Sequence, residues 1–249
     1  MKINLVILFF LFFTGCSVEQ NMIDIYTIGD STMANKTEDV FPETGWGQVL
    51  DQFFTRQVRI HNHAVNGRST KSFIDQGRWQ LVMDSLKKGD YVFIQFGHND
   101  EKINDSTRYT EPFGDYSRNL ALFVRESREK GAVPVLFTPI VRRRFNVKGE
   151  LVDTHHDYPV AVRKLSNEMD VPLVDLEELT KNLVQSLGEE KSKEFYLWTQ
   201  PNEHFPEGRQ DNTHLCTEGA MGVASLAVQR LKELPLNLDQ YILKQKKRP

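Results

Sequence analysis

Short apolar runs bounded by turn residues alternate along the chain with longer segments in which apolar positions recur every three or four residues. The short runs, Ile23 to Ile28, Val58 to His63, Tyr91 to Phe96, Val133 to Thr138 and Pro172 to Val174, have the length of strands, and several are apolar on both faces. A strand with two apolar faces must be covered twice, so the pattern predicts a parallel sheet between helical layers. Helical spacing is carried by Trp79, Val82, Met83 and Leu86 ahead of Gly89, by Tyr116, Leu120, Phe123 and Val124 ahead of Gly131, and by Tyr158, Val162, Leu165 and Met169. Leu176, Leu179, Leu183 and Leu187 form a further stripe ahead of Gly188 and behind Asp175, a side chain suited to cap the first turn. A last helix is expected from about Glu218 to Leu234, with Pro235 at its exit. Two segments, 104–114 and 195–210, lack periodicity and are rich in Pro, Gly, Asn and charge. Loops of that kind at the carboxyl ends of parallel strands form the rim of a site.

The N-terminus follows a different pattern. Lys2 precedes an apolar run from Ile3 to Phe13, broken only by Asn4 and followed by Thr14-Gly15-Cys16; this is too short to span a bilayer and has the layout of an export signal. It resembles a bacterial lipoprotein signal, which implies cleavage before Cys16 and lipidation of that residue, although Phe13 stands where leucine is usual. The expected organisation is a signal over 1–15, a tether over 16–22, one domain over 23–240 and a basic tail over 241–249. The expected location is exported, in the periplasm or at the cell surface, with the membrane as a partner through the anchor. A net charge of −3, with no long basic block apart from 244–248, argues against nucleic acid as a partner. With Cys16 lipidated, Cys216 is the only other cysteine, so no internal disulfide is expected.

Four polar islands interrupt this framework. Gly29-Asp30-Ser31-Thr32 follows the first strand, Asn66-Gly67-Arg68 the second, Gly97-His98-Asn99-Asp100 the third, and Asp211-Asn212-Thr213-His214 precedes the last helix. A serine attacking an ester needs an adjacent base and an exposed turn, and Ser31 is placed for both. The tetrahedral oxygen formed by that attack needs hydrogen-bond donors, which the Gly67 N–H and the Asn99 amide could supply. His214 is a base suited to neutral pH. Asp211, three residues earlier, can fold back on its imidazole and fix the tautomer. Each island alone is an ordinary turn; their joint occurrence at equivalent strand ends is what points to a site.

Together these islands resemble the motif blocks of the SGNH, or GDSL, hydrolase superfamily, over about Ile25 to Gly222. The longer matches, Gly29 to Met33, Asn62 to Ser69, Gln95 to Asp100 and Asp211 to His214, with Tyr158-Pro159 through Leu165, are similar to the rhamnogalacturonan acetylesterases of carbohydrate esterase family 12. The resemblance implies Ser31 as nucleophile, His214 as base, Asp211 as its orienter, and Ser31 N–H, Gly67 N–H and Asn99 as the oxyanion hole. It also implies a three-layer α/β/α sandwich of flavodoxin-like type with a five-stranded parallel sheet, the arrangement the periodicity predicts. Thr32 departs from the leucine frequent in the wider superfamily.

The expected reaction is removal of O-acetyl groups from a plant cell-wall polysaccharide, most simply rhamnogalacturonan, through an acetyl-serine. The alternatives are an esterase acting on acetylated xylan, a lipid or a thioester, and an inactive carbohydrate-binding lipoprotein. Arg68, Lys71 and Arg142-Arg143-Arg144 are candidates to hold galacturonate carboxylates, His98 to line the site, and Trp198 and Tyr196 to stack on sugar rings. No cofactor is expected. The remaining histidines lack a metal-ligand spacing with a supporting carboxylate, so no metal is expected either.

Overall fold

The structure, a computed structural model, describes residues 22–244; the expected signal, Cys16 and nearly all of the tether lie outside them. Five strands form one parallel sheet: β1 Ile23–Gly29, β2 Val58–Asn62, β3 Tyr91–Gln95, β4 Val133–Phe137 and β5 Leu173–Val174, in the order β2-β1-β3-β4-β5. Successive side chains alternate between faces. Ile25, Phe93, Val135 and Phe137 enter one apolar cluster, while Tyr26, Ile28, Val92, Ile94 and Leu136 enter the other.

The second cluster is closed by α1 Thr70–Asp75, α2 Arg78–Ser85, α3 Ser117–Glu129 and α4 Asp157–Met169. The first is closed by a 3-10 helix, Trp46–Phe53, with α5 Leu176–Lys191 and α6 Thr217–Leu231. The expected three layers and five parallel strands are therefore present. Asp175 caps α5 by accepting from the Glu178 N–H, and the helical dihedrals break at Gly188 (φ 71°, ψ 179°), where a stop was expected.

Four features depart from expectation. The 3-10 helix Trp46–Phe53 was not expected although Trp46, Val49, Leu50 and Phe53 recur at helical spacing and are buried; the short α1, capped by Ser69 through reciprocal bonds with Ser72, carries too little apolar period to be read from sequence. The segment expected to be irregular contains half of a hairpin, β6 Tyr196–Thr199 paired antiparallel with β7 Arg209–Leu215. At the other end, the chain after 240 continues the domain rather than leaving it: Ile242 is buried, the Thr55 N–H donates to the Tyr241 carbonyl and the Leu243 N–H to that of Phe53.

The chain passes from β1 to β2 on one side and returns to β3 on the other, so the loops after β1 and β3 diverge. This is the switch point at which open parallel sheets form their crevice. The first three polar islands leave the sheet here, one from each of three neighbouring strands.

Candidate active site

The turn that carries Ser31 is built on a bare backbone. A Cβ on Gly29 would stand 2.6 Å from the Gln95 carbonyl oxygen and 3.0 Å from the Met33 sulfur, so glycine is required here by contact with the adjacent strand. Beyond it the fully buried Asp30 organises the turn. Its Oδ1 accepts from the Thr32 N–H at 3.0 Å and the Thr32 hydroxyl at 2.9 Å, and its carbonyl accepts from the N–H groups of Met33 and Ala34. Thr32 is tied in turn to the Gln95 amide at 3.0 Å, whose oxygen accepts from the Trp46 indole at 2.6 Å. The threonine that departs from the superfamily leucine thus serves as a bracket for the turn.

Behind Asp30 stands His98, its Nδ1 3.2 Å from Asp30 Oδ2. Burial pushes the His98 imidazole down to about 4 despite the pull of the carboxylate. Burial works against the Asp30 carboxylate too, but His98 and the Thr32 bonds outweigh it and hold this carboxyl at about 2. A neutral imidazole donating from Nδ1 to an ionised carboxylate satisfies both groups. His98 is 3 % exposed and supports the turn from within; it does not line the site as expected.

The hydroxyl of Ser31 lies 3.0 Å from Nε2 of His214, and Nδ1 of the same ring lies 2.8 Å from Asp211 Oδ2. The other carboxylate oxygen accepts from the N–H groups of Thr213 at 2.8 Å and His214 at 3.0 Å. Burial would raise the Asp211 carboxyl, but the bonds from the His214 ring and backbone outweigh it and hold the group well below the usual carboxylate range. Asp211 and His214 lie on β7, where the turn-like bonds of Asp211 Oδ1 bring the two side chains together; the expected fold-back is realised at a strand irregularity.

Gly67 has φ 74°, a left-handed conformation that any side chain would strain. Neither its N–H nor that of Ser31 has a hydrogen-bond partner among the described residues. The Asn99 amide is oriented at both ends. Its oxygen accepts from Lys102 Nζ at 2.7 Å and its nitrogen donates one proton to the Arg68 carbonyl at 3.1 Å, leaving the second amide proton available.

The chain matches the model of the GDSL-like lipase/acylhydrolase family over residues 27–220. It is 43% identical to the rhamnogalacturonan acetylesterase RhgT of Bacillus subtilis, over 89% of this chain and 94% of that one. It is 30% identical to a rhamnogalacturonan acetylesterase of Emericella nidulans, over 80% of this chain and 81% of the other. The crystal structure of protein YxiM from Bacillus subtilis superposes with a TM-score of 0.73 at 27% identity, covering 85% of this chain and 56% of that one. The chain belongs to the GDSL-like lipase/acylhydrolase family. As such it is a carboxylic ester hydrolase.

Within this hydrolase the expected sugar contacts divide. Arg142, Arg143 and Arg144 have three different fates. Arg142 is ion-paired with Glu101 beside the buried His155. Arg143 is buried, donating to Ser192 Oγ at 3.1 Å and Asn212 Oδ1 at 2.9 Å. Arg144 is exposed. Arg142 and Arg143 are committed to the protein and are not free carboxylate readers. Tyr196 is also unavailable, being buried with its hydroxyl donating to the Val141 carbonyl at 2.6 Å. Trp198 is half-buried; its N–H donates to Asn212 at 2.9 Å, and the Arg143 guanidinium and Lys193 ammonium lie 5.0 and 4.8 Å from its ring. These contacts hold the indole in place on the hairpin, where it lines an open pocket with Lys193 and Arg209. Arg68 lies beside Gly67 at the site. Sequence reasoning missed Lys102, which holds the Asn99 amide three residues away, and Asp30, whose partner His98 comes from another loop.

Proposed function

We propose that this hydrolase removes O-acetyl groups from rhamnogalacturonan or a related pectic polysaccharide through an acetyl-Ser31 intermediate. The observation that carries the chemistry is the continuous line of contacts from Ser31 Oγ through the His214 ring to Asp211. Ser31 Oγ attacks the acetyl carbonyl carbon as His214 Nε2 takes its proton, and the carbonyl π electrons move onto oxygen. Ser31 N–H, Gly67 N–H and the free Asn99 amide proton hold that oxyanion. Collapse reforms the carbonyl and breaks the bond to the sugar oxygen, which leaves with the proton carried by His214. Water then attacks the acetyl-serine, again giving its proton to His214, and acetate departs as Ser31 regains its hydrogen. Asp211 holds the imidazole in the tautomer with Nδ1 protonated and stabilises the imidazolium formed in each half.

The pectic substrate is supported by the relatives named for rhamnogalacturonan. The test is acetate release from acetylated rhamnogalacturonan beside acetylated xylan and an aryl acetate, with Ser31→Ala as control. Release from rhamnogalacturonan well above xylan is expected. Hydrolysis of the aryl ester alone would leave the esterase standing and remove the pectin assignment, and activity retained by Ser31→Ala would remove the acetyl-serine. Our reading further includes export as a lipoprotein anchored at Cys16, supported by the N-terminal sequence pattern; incorporation of labelled fatty acid, abolished by Cys16→Ala, checks it.

A further inference from the structure

A cleft of about 440 Å³ opens beside Gly67 between the start of α1 and the loop at 106–108, with Gly67, Arg68, Lys71, Asp75, Ser106 and Arg108 in its wall. We propose that this cleft binds a galacturonate carboxylate of the sugar chain, and that Arg108 is the side chain that reads it. The inference rests on the pectic reading above and gives it a specific place on the protein.

Three cations line the cleft with the single carboxylate of Asp75; Arg68 and Lys71 are hydrogen-bonded without being neutralised, and Arg108 is paired with Asp105, which lies outside the lining. Arg68 donates to neutral oxygens, Gln76 Oε1 and the Asn66 carbonyl, both at 2.9 Å. Lys71 donates to the Ser106 carbonyl at 2.7 Å. Burial, with Arg78 and Arg108 nearby, holds the Arg68 guanidinium below its ordinary value. A desolvated guanidinium beside like charges is relieved by an incoming anion.

Arg108 is the member with donors to spare. Asp105 takes its Nε edge at 2.9 Å, and the two terminal nitrogens have no partner among the described residues. A guanidinium fork matches a planar carboxylate, which a neutral sugar does not offer. One of these nitrogens lies 3.6 Å from where a Cβ on Gly67 would stand. The fork is therefore adjacent to the backbone assigned to the oxyanion.

The loop bearing Arg108 is held firmly. Asp105 Oδ1 accepts from the Thr107 N–H at 3.1 Å and its hydroxyl at 2.6 Å, while the Arg108 N–H donates to the Asp105 carbonyl at 3.0 Å. Beyond it, Thr110 and Thr70 both donate to the buried Asp100 Oδ1, and the Tyr158 hydroxyl lies 2.7 Å from the Thr110 carbonyl and 3.0 Å from that of Asp100. This clasp joins both walls of the cleft, the preorganisation that a specific anion site requires.

The experiment compares kcat/KM on acetylated rhamnogalacturonan oligosaccharides with that on neutral acetylated xylo-oligosaccharides, for the full-length wild type, Arg108→Gln and Arg108→Lys. The acidic-to-neutral ratio should fall about 10- to 100-fold in Arg108→Gln, chiefly through KM on the acidic substrate. Arg108→Lys should recover part of it, and added salt should narrow the wild-type ratio. If the wild type prefers the acidic substrate and Arg108→Gln keeps that preference, the cleft assignment fails while the pectic reading stands. An equal loss on both substrates would also overturn it, assigning Arg108 to the oxyanion hole or the fold. If the wild type shows no preference for the acidic substrate, the pectic reading falls and the cleft assignment falls with it.

Discussion

Two Asp–His pairs flank Ser31, and they differ in where the second ring nitrogen points. In the pair behind the turn, Asp30 and His98 are 0 % and 3 % exposed, and His98 Nε2 is buried with no hydrogen-bond partner among the described residues. In the pair on the hairpin, the side chains of Asp211 and His214 are 12 % and 27 % exposed, and His214 Nε2 meets the Ser31 hydroxyl. The same two residue types thus make a fixed support in one place and a proton carrier in the other. Burial decides the difference: His98 is neutralised by desolvation and has nothing to exchange a proton with, whereas His214 keeps a reacting hydroxyl on one side and a carboxylate on the other.

The comparison is broken most severely at the reacting groups. Ser31→Ala or His214→Ala should lower kcat on an aryl acetate by about 10⁶, while His98, in the buried pair, carries no proton for the reaction. Asp211→Asn should cost about 10⁴ in kcat with little change in melting temperature, because it upsets the tautomer on a half-exposed hairpin. Asn99→Ala should cost about 10² to 10³, measured in the same assay. Asp30→Asn should show the converse balance to Asp211→Asn. It places an amide against the His98 N–H inside the core, so thermal unfolding should reveal a loss of roughly 1–3 kcal/mol.

A smaller effect concerns pH. The folded His98 sits at about 4 against an ordinary 6.5, so the unfolded chain binds more protons between those values and His98 makes stability rise with pH across that window. Burial raises Asp100 to about 7 from 3.8 despite the bonds from Thr70 and Thr110; there the folded state binds more protons and stability falls as pH rises over nearly the same range. The two slopes oppose each other in the wild type. Asp100→Asn removes the falling one, so its melting temperature should climb from pH 4 to 6.5 by roughly 5 °C more than that of the wild type.

The sheet was legible because its strands are apolar on both faces and the helices around them have clean stripes, so burial is written into residue type. The islands after β1, β2 and β3 were legible for a related reason: parallel strands deliver their following loops to one rim. The hairpin was hidden because β7, Arg-Gln-Asp-Asn-Thr-His-Leu, is polar almost throughout and only Leu215 is buried. Its strand character comes from pairing with β6. The three consecutive arginines show the limit most clearly. Nothing in a run of identical residues distinguishes the one bound to Glu101, the one under Trp198 and the one in solvent, since each outcome depends on what other loops bring. Arg108 went unnoticed for the same reason, its neighbour Gly67 lying forty-one positions earlier in the chain.

The place of β7, directly before the last helix, orders events during synthesis. The ribosome completes the turn at Ser31, the Gly67 bend and the Asn99 loop long before it reaches Asp211 and His214, and α6, which closes one apolar layer, emerges later still. A growing or prematurely ended chain that stops short of β7 holds an attacking hydroxyl with no imidazole to activate it. Hydrolytic competence therefore arrives with the finished domain, and a nascent fragment is chemically silent by construction.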